Sequence, residues 1–209
     1  MQSLSEHYLV EEREHLNVLH LLSPDAMNRL TRERILALAR VVEELNQDAA
    51  RRILKGKGTL KALLVSGNQH CFSVGADLNE IASLTAAEAL EFAKMGQKLM
   101  GLIADFPAPV YAAISGYCMG GGLDLALACD FRVGAPNAIF AHRGAALGLL
   151  TGWGGTQRLA RVIGRGPAQQ LFTSAEKLHA GAALEIGLVS EIVPDPLARA
   201  IQLATARAA

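Results

Sequence analysis

Several features are scarce in this sequence, and each scarcity closes off a class of protein. Its three cysteines, Cys71, Cys118 and Cys129, are odd in number and form no CxxC pair, which fits a reducing compartment better than a disulfide framework. The six histidines include no HExxH pair, so no metal site is expected. Net charge is lacking too. Lys plus Arg equals Asp plus Glu at 20 each, leaving no field that would draw the chain to nucleic acid or an anionic membrane surface. No apolar run reaches the ~20 residues needed to span a bilayer. The start, MQSLSEHYLVEEREH, lacks the basic-then-apolar layout of a signal peptide. The expectation is a cytoplasmic protein, bound to neither nucleic acid nor membrane, that holds any anionic ligand by local charge.

What is present reads as an ordinary globular chain. With 209 residues, 51% hydrophobic and 19% charged, it can bury one sizeable core, and one main domain is expected. YLVEE and HLNVLHLL flank a charged turn at Glu12 to Glu14, predicting an opening hairpin. Ile35, Leu38, Val42 and Leu45 recur at helical spacing and predict one long amphipathic helix from Thr31 to about Leu54. LKALLVSG then reads as a buried strand and NQHCFSVGADLNEI as a loop. Thr85 with Glu88 forms a capping box for a helix that ends before Pro107 and Pro109. VYAAIS, DFRVG and NAIFAH read as strands, with a helix at about Gly121 to Cys129. From TGWGGTQRLARVIG onward the pattern is mostly helical, with breaks at Gly164, Gly166, Gly181 and Gly187. Alternating strands and helices imply parallel βαβ units, whose ligands gather at the carboxyl ends of strands. Both glycine-bearing loops fall at such ends.

The most informative stretch is ISGYCMGGGLDLALACDF, where Gly120, Gly121 and Gly122 stand between a strand and a helix. A backbone N–H from a strand end and another from a helix's first turn can together hold an oxyanion, aided by the helix dipole. Glycine permits the close approach this needs. The same residues could instead let the helix cross tightly against a neighbour. GYCMG also has the form of a nucleophile elbow with Cys118 in place of serine, His142 or His179 as base and Asp130 as orienting acid. The alternative there is a buried structural cysteine.

HCFSVGADLNEI, and the run from ISGYCMGGG to RLARVIG, resemble the two signature regions of the crotonase (enoyl-CoA hydratase/isomerase) superfamily. YLVEE, SPDAMNRL and AGAALEIGLVSEIV extend the resemblance from about Tyr8 to about Arg207. It implies an α/β fold built as a crotonase-like spiral of ββα units, with 1–160 as spiral core and 161–209 as a mostly helical C-terminal part that lacks the family's last helices. It also implies acyl-CoA thioester substrates, coenzyme A entering as part of the substrate with no separate cofactor, and a homo-oligomer, trimer or hexamer. By motif position, the amides of Ala76 and Gly121 would hold the thioester oxygen as an enolate forms, with Gly120 beside them. Val74, Gly75, Ala76, Asp77 and Leu78 would follow the adenine and pantetheine, Asp77 supporting the turn.

The chain departs from the hydratases, which set two glutamates against a bound water. The first position is Asp124, a carboxylate one methylene shorter, resembling the dienoyl-CoA isomerases. The second falls on Gly144, which can move no proton, and the isomerases' further carboxylate position falls on Gly152. Isomerisation, another enolate reaction such as decarboxylation, and acyl-CoA binding without catalysis therefore stand beside hydration. His142 is the next candidate acid or base, though it and Arg143 could equally make loop or subunit contacts. Trp153, the only tryptophan, either lines the acyl pocket or anchors packing.

Overall fold

The computed structural model describes residues 2–54, 56 and 60–208. The chain opens with β1 (Gln2–Leu4), β2 (Tyr8–Glu12) and β3 (Leu16–Leu21) in antiparallel order. The β2–β3 hairpin is the one its alternating pattern predicts. Strand β1 is too short to show a period, and it exists through its pairing with β2, Gln2 opposite Glu11 and Leu4 opposite Leu9. Helix α1 (Arg32–Leu54) buries Ile35, Leu38 and Val42 on one face, as the spacing predicts.

Three ββα units follow. The first is β4 (Ala62–Ser66) and β5 (Cys71–Ser73) with α2 (Leu78–Ser83) and α3 (Ala86–Ala104). The second is β6 (Val110–Ile114), β7 (Tyr117–Met119) and α4 (Gly121–Ala128). The third is β8 (Phe131–Gly134) and β9 (Ile139–Ala141), a 3-10 turn at Ala145–Leu147, and α5 (Gly155–Ile163). Then come α6 (Arg165–Ser174), β10 (Leu178–His179), α7 (Ala180–Glu185), β11 (Glu191–Ile192) and α8 (Pro196–Ala208). Each unit gives its first strand to a seven-stranded sheet, β1-β2-β3-β4-β6-β8-β11, and its second to a four-stranded sheet, β10-β9-β7-β5. From β3 onward the larger sheet is parallel.

Two expectations need correction. NQHCFSVGADLNEI is not a plain loop, because it contains β5 and α2. Three residues show no periodicity, so β5 is defined by its parallel pairing with β7. Helix α2 starts where the Asp77 carboxylate accepts from the amides of Asn79 (2.9 Å) and Glu80 (3.1 Å), an N-cap worth about 1 kcal/mol. Gly166 and Gly181 lie inside the first turns of α6 and α7 rather than at breaks. Gly164 and Gly187 do punctuate, with φ of 83° and 75°.

The burial follows from the sheet. Every residue of β4 and β6 is buried, as parallel strands covered on both faces require. Leu63, Val65, Ala112 and Ile114 belong to the core shared with α1, α3 and α4, while Leu64, Tyr111, Ala113 and Val133 pack with Ala200 and Ala204 of α8. Helix α4 is buried from Gly122 to Ala128, so its apolar residues run all round it. Its C-terminus is closed by Arg132, whose guanidinium donates to the carbonyls of Cys129 (2.7 Å) and Leu188 (2.8 Å). A cation there meets both the orphan carbonyls and the negative end of the dipole. Among the described residues no helix is long and apolar enough to cross a membrane.

Trp153 is the wedge between helices. It is 5% exposed, stands edge-on to Phe92 with ring centroids 5.3 Å apart, and lies where a Cβ on Gly96 of α3 or on Gly121 of α4 would overlap its indole. Gly96 is therefore a notch cut for a ring. Gly101, on the same helix, faces open space. The two should respond oppositely to alanine. Gly101→Ala should stabilise by ~0.5–1 kcal/mol through helix propensity. Gly96→Ala should destabilise by ~1–3 kcal/mol through overpacking. Denaturant unfolding followed by far-UV circular dichroism measures both, and a stabilising Gly96→Ala would refute the wedge.

Candidate active site

A pocket of ≈ 670 Å³ opens between the ββα loops and the helices beside them. One wall is apolar, formed by Ile81, Leu84 and Phe92 from the α2–α3 segment and by Leu147, Leu149 and Leu150 from the segment after β9. The floor comprises Gly120, Gly121, Asp124, His142 and Trp153. Val74, Ala76, Leu78 and Gly144 also line it, whereas Gly75 and Asp77 do not. Asp77 turns to the α2 cap, and Gly75 lies against the start of α4. Arg143 and Lys177 are the cations at the wall.

The segment after β5 is held by backbone bonds, Val74 N–H to Met27 O (3.1 Å) and Leu30 N–H to Gly75 O (2.8 Å). Gly75 has φ of 86°, and a Cβ there would lie 2.6 Å from Gly121 N and from Met119 O. The backbone of this segment thus rests directly on the first turn of α4. Gly122 in turn abuts the Ser73 carbonyl. The glycines serve tight packing, against Trp153 and Ser73, and they also leave backbone amides bare. Among the described residues the protein supplies no hydrogen-bond acceptor for the N–H of Ala76 or of Gly121. The Gly121 amide sits at the positive end of α4, where an anion is favoured.

One turn further along α4 is Asp124, whose amide donates to Gly120 O (3.0 Å). Its side chain is 0% exposed, and His142 is 4% exposed. His142 Nε2 lies 3.2 Å from Asp124 Oδ1, yet neither atom has a partner in hydrogen-bond alignment. Both converge on Gly155, the first residue of α5, where a Cβ would overlap Oδ1 and lie 3.1 Å from Nε2. The imidazole is backed by Phe172, ring centroids 4.7 Å apart. Asp124 Oδ2 accepts from the Thr151 hydroxyl. Thr151 is a site residue that sequence reasoning missed, since a threonine in a loop carries no signal. The apolar wall was missed for the same reason, while Asp124 and His142 were both legible.

Gly144, two residues after His142, is held tightly by its surroundings. A Cβ on Gly144 would overlap the carbonyl of Leu149. Gly144 O also accepts from the amides of Leu147 and Leu149, each at 2.8 Å, so the loop is folded onto this residue. Gly152 is different, with the Ala93 Cβ at ordinary contact distance, 3.4 Å.

The cysteine-nucleophile alternative fails on this geometry. Cys118 is 0% exposed, its Sγ points to Gly122 O at 3.6 Å, and burial pushes its thiol well above the ordinary range. Its supposed partners are committed elsewhere. The Asp130 carboxylate accepts from the Val110 amide (2.8 Å), His142 faces Asp124, and His179 is an exposed residue of the edge strand β10, paired opposite Ile139. Among the described residues one group, Glu6, His7 and Glu33, is close enough to share a metal ion, and none of the three lines the pocket.

Parallel ββα units enclosing an apolar cleft, with unpaired amides and a buried acid–imidazole pair at its base, define an α/β protein with a pocket sized for a small molecule. The chain belongs to the enoyl-CoA hydratase/isomerase family, whose sequence profile it matches over residues 11–208. It is 39% identical over 189 residues to the crotonyl-CoA hydratase of Syntrophomonas wolfei, covering 90% of this chain and 69% of that one. It is 32% identical to the short-chain-enoyl-CoA hydratase of Clostridium acetobutylicum, covering 88% and 68%. Among solved structures, Pseudomonas aeruginosa DspI superposes with a TM-score of 0.87 at 35% identity, covering 97% of this chain and 74% of that one. The enoyl-CoA hydratase of Bacillus anthracis gives 0.86 at 30%, covering 96% and 76%. The spiral expected from the sequence is the fold these neighbours share.

Because the loop closes on Gly144, even a methyl there should cost stability. Gly144→Ala should lower the unfolding free energy by ~1–3 kcal/mol, read as a fall in melting temperature. An unchanged melt would show that the loop yields freely.

Proposed function

We propose that this protein is an enzyme that binds an acyl-CoA thioester and stabilises the enolate formed when a proton leaves the carbon next to the carbonyl. The observation that carries the reading is the pair of unpaired amides, Ala76 and Gly121, on loops packed together at the pocket floor. The thioester oxygen would accept from both as it gains charge, each donor supplying ~3 kcal/mol in the transition state. The apolar wall suits a hydrocarbon acyl group. The backbone from Val74 to Leu78 would border the coenzyme A part, with Arg143 and Lys177 as the nearest cations.

Proton transfer falls to Asp124 and His142. Hydration by two acids on opposite sides of a water is disfavoured, because Gly144 has no proton to give and no room for a longer side chain. Asp124 Oδ1 and His142 Nε2 are instead neighbours, 3.2 Å apart, and act as one relay. The carboxylate takes the proton from one carbon, and the pair returns it to the same carbon or to one further along the chain. This favours isomerisation, or another enolate reaction such as decarboxylation, over hydration. A binding protein without catalysis would gain nothing from a buried Asp124 Oδ1 and His142 Nε2 left without aligned partners, an arrangement that costs free energy.

The test is deuterium incorporation from heavy water into a panel of acyl-CoA thioesters, read by mass spectrometry, with isothermal titration for binding. Asp124→Asn should slow exchange ~100-fold or more while leaving thioester affinity nearly intact. His142→Gln should slow it less, ~10-fold or more, if it completes the relay. Thioester binding with no exchange by the wild-type protein would favour the non-catalytic reading instead.

A further inference from the structure

We infer that Thr151 is a positioning residue that decides which oxygen of Asp124 carries the migrating proton; the inference rests on the reading of Asp124 given above. Three contacts set it up. Trp153 N–H points to Thr151 Oγ1 at 3.4 Å. The Thr151 hydroxyl in turn donates to Asp124 Oδ2. Asp124 Oδ1, on the other side of the carboxylate, has no aligned partner and faces His142 Nε2 at 3.2 Å.

The direction of this chain follows from counting protons. A hydroxyl has one hydrogen and two lone pairs. With the Trp153 amide directed at one lone pair, the hydrogen is free for the carboxylate. Oδ2 is an acceptor committed to a charge-assisted bond, so an added proton goes to Oδ1. That is the oxygen next to His142 and the first turn of α5. Thr151 thus turns a symmetric carboxylate into a one-sided relay: a proton leaves the substrate carbon for Oδ1, passes from Oδ1 to His142 Nε2 or back to carbon, and none is stored on Oδ2. The same loop residue links the relay to Trp153, which is wedged between Gly96 and Gly121. The acid's orientation and the packing at the base of the pocket therefore rest on one short segment, residues 151–153.

A purely structural role for Thr151 makes the opposite prediction from a positioning role, and two variants separate them. Thr151→Ser keeps the hydroxyl and discards the methyl; Thr151→Val does the reverse. Positioning predicts that Thr151→Ser exchanges deuterium within ~3-fold of wild type. Thr151→Val should lose ~10–100-fold in kcat, the worth of one hydrogen bond to a charged group, with KM nearly unchanged. Thr151→Ala, a second variant without a hydroxyl, serves if the valine form does not fold, and should match the valine result. An exchange rate in Thr151→Val or Thr151→Ala equal to wild type, or a serine form slower than the valine form, overturns the assignment and leaves the role of Asp124 standing. Wild-type exchange in Asp124→Asn overturns both.

Discussion

A carboxylate with no exposed surface is the constraint around which this protein is arranged. Removing a charge from water costs several kcal/mol unless partners replace the lost hydration. Among the described residues no lysine or arginine forms an ion pair with Asp124. Its compensation is assembled from weaker parts: the Thr151 hydroxyl on Oδ2, the imidazole of His142 near Oδ1, and the positive end of α5 at Gly155. Each part comes from a different segment, so the site forms only when α4, the strand end at β9 and the first turn of α5 are all in place. The acid is thus a product of the fold rather than of any local motif.

The same dependence explains the glycines. Three backbone segments and an indole meet at the start of α4, and side chains at Gly75, Gly121 or Gly122 would strike Gly121 N, Trp153 or the Ser73 carbonyl respectively. Tight packing and bare amides are one fact seen from two sides. Where no side chain separates two backbones, amides that a residue's own bulk would shield stay open to a ligand. The other end of helix α4 is closed by Arg132, which donates to the carbonyls of Ala126 and Cys129. Along this one helix the chain therefore runs from bare amides at the start to a carbonyl end sealed by a cation.

Legibility in the sequence follows the range of the forces involved. The hairpin β2–β3, helix α1, the capping box at Thr85 and the strands β4 and β6 are written in short-range periodicity and turn chemistry, and all are present. Strands β1, β5 and β7 have too few residues for a period, and each exists because another strand lies beside it. The site divides the same way. The glycines and Asp124 stand in one continuous stretch and were legible, and the order of the loops carried the family resemblance. What spacing could not supply was the 3.2 Å approach of His142 to Asp124 or the arrival of Thr151 from another segment. Trp153 left two readings open, lining and packing, and both hold because the indole that fills the helix crossing also forms the floor of the pocket.

The loop closed on Gly144 leaves that residue no freedom of identity. Its backbone occupies the space in which a Cβ would stand, and two of its amides are spent on Gly144 O. An incoming side chain would first have to open the turn that receives it. Glycine at this position is thus what keeps that stretch of the pocket's rim folded, and any side chain enters there only at the expense of the turn itself.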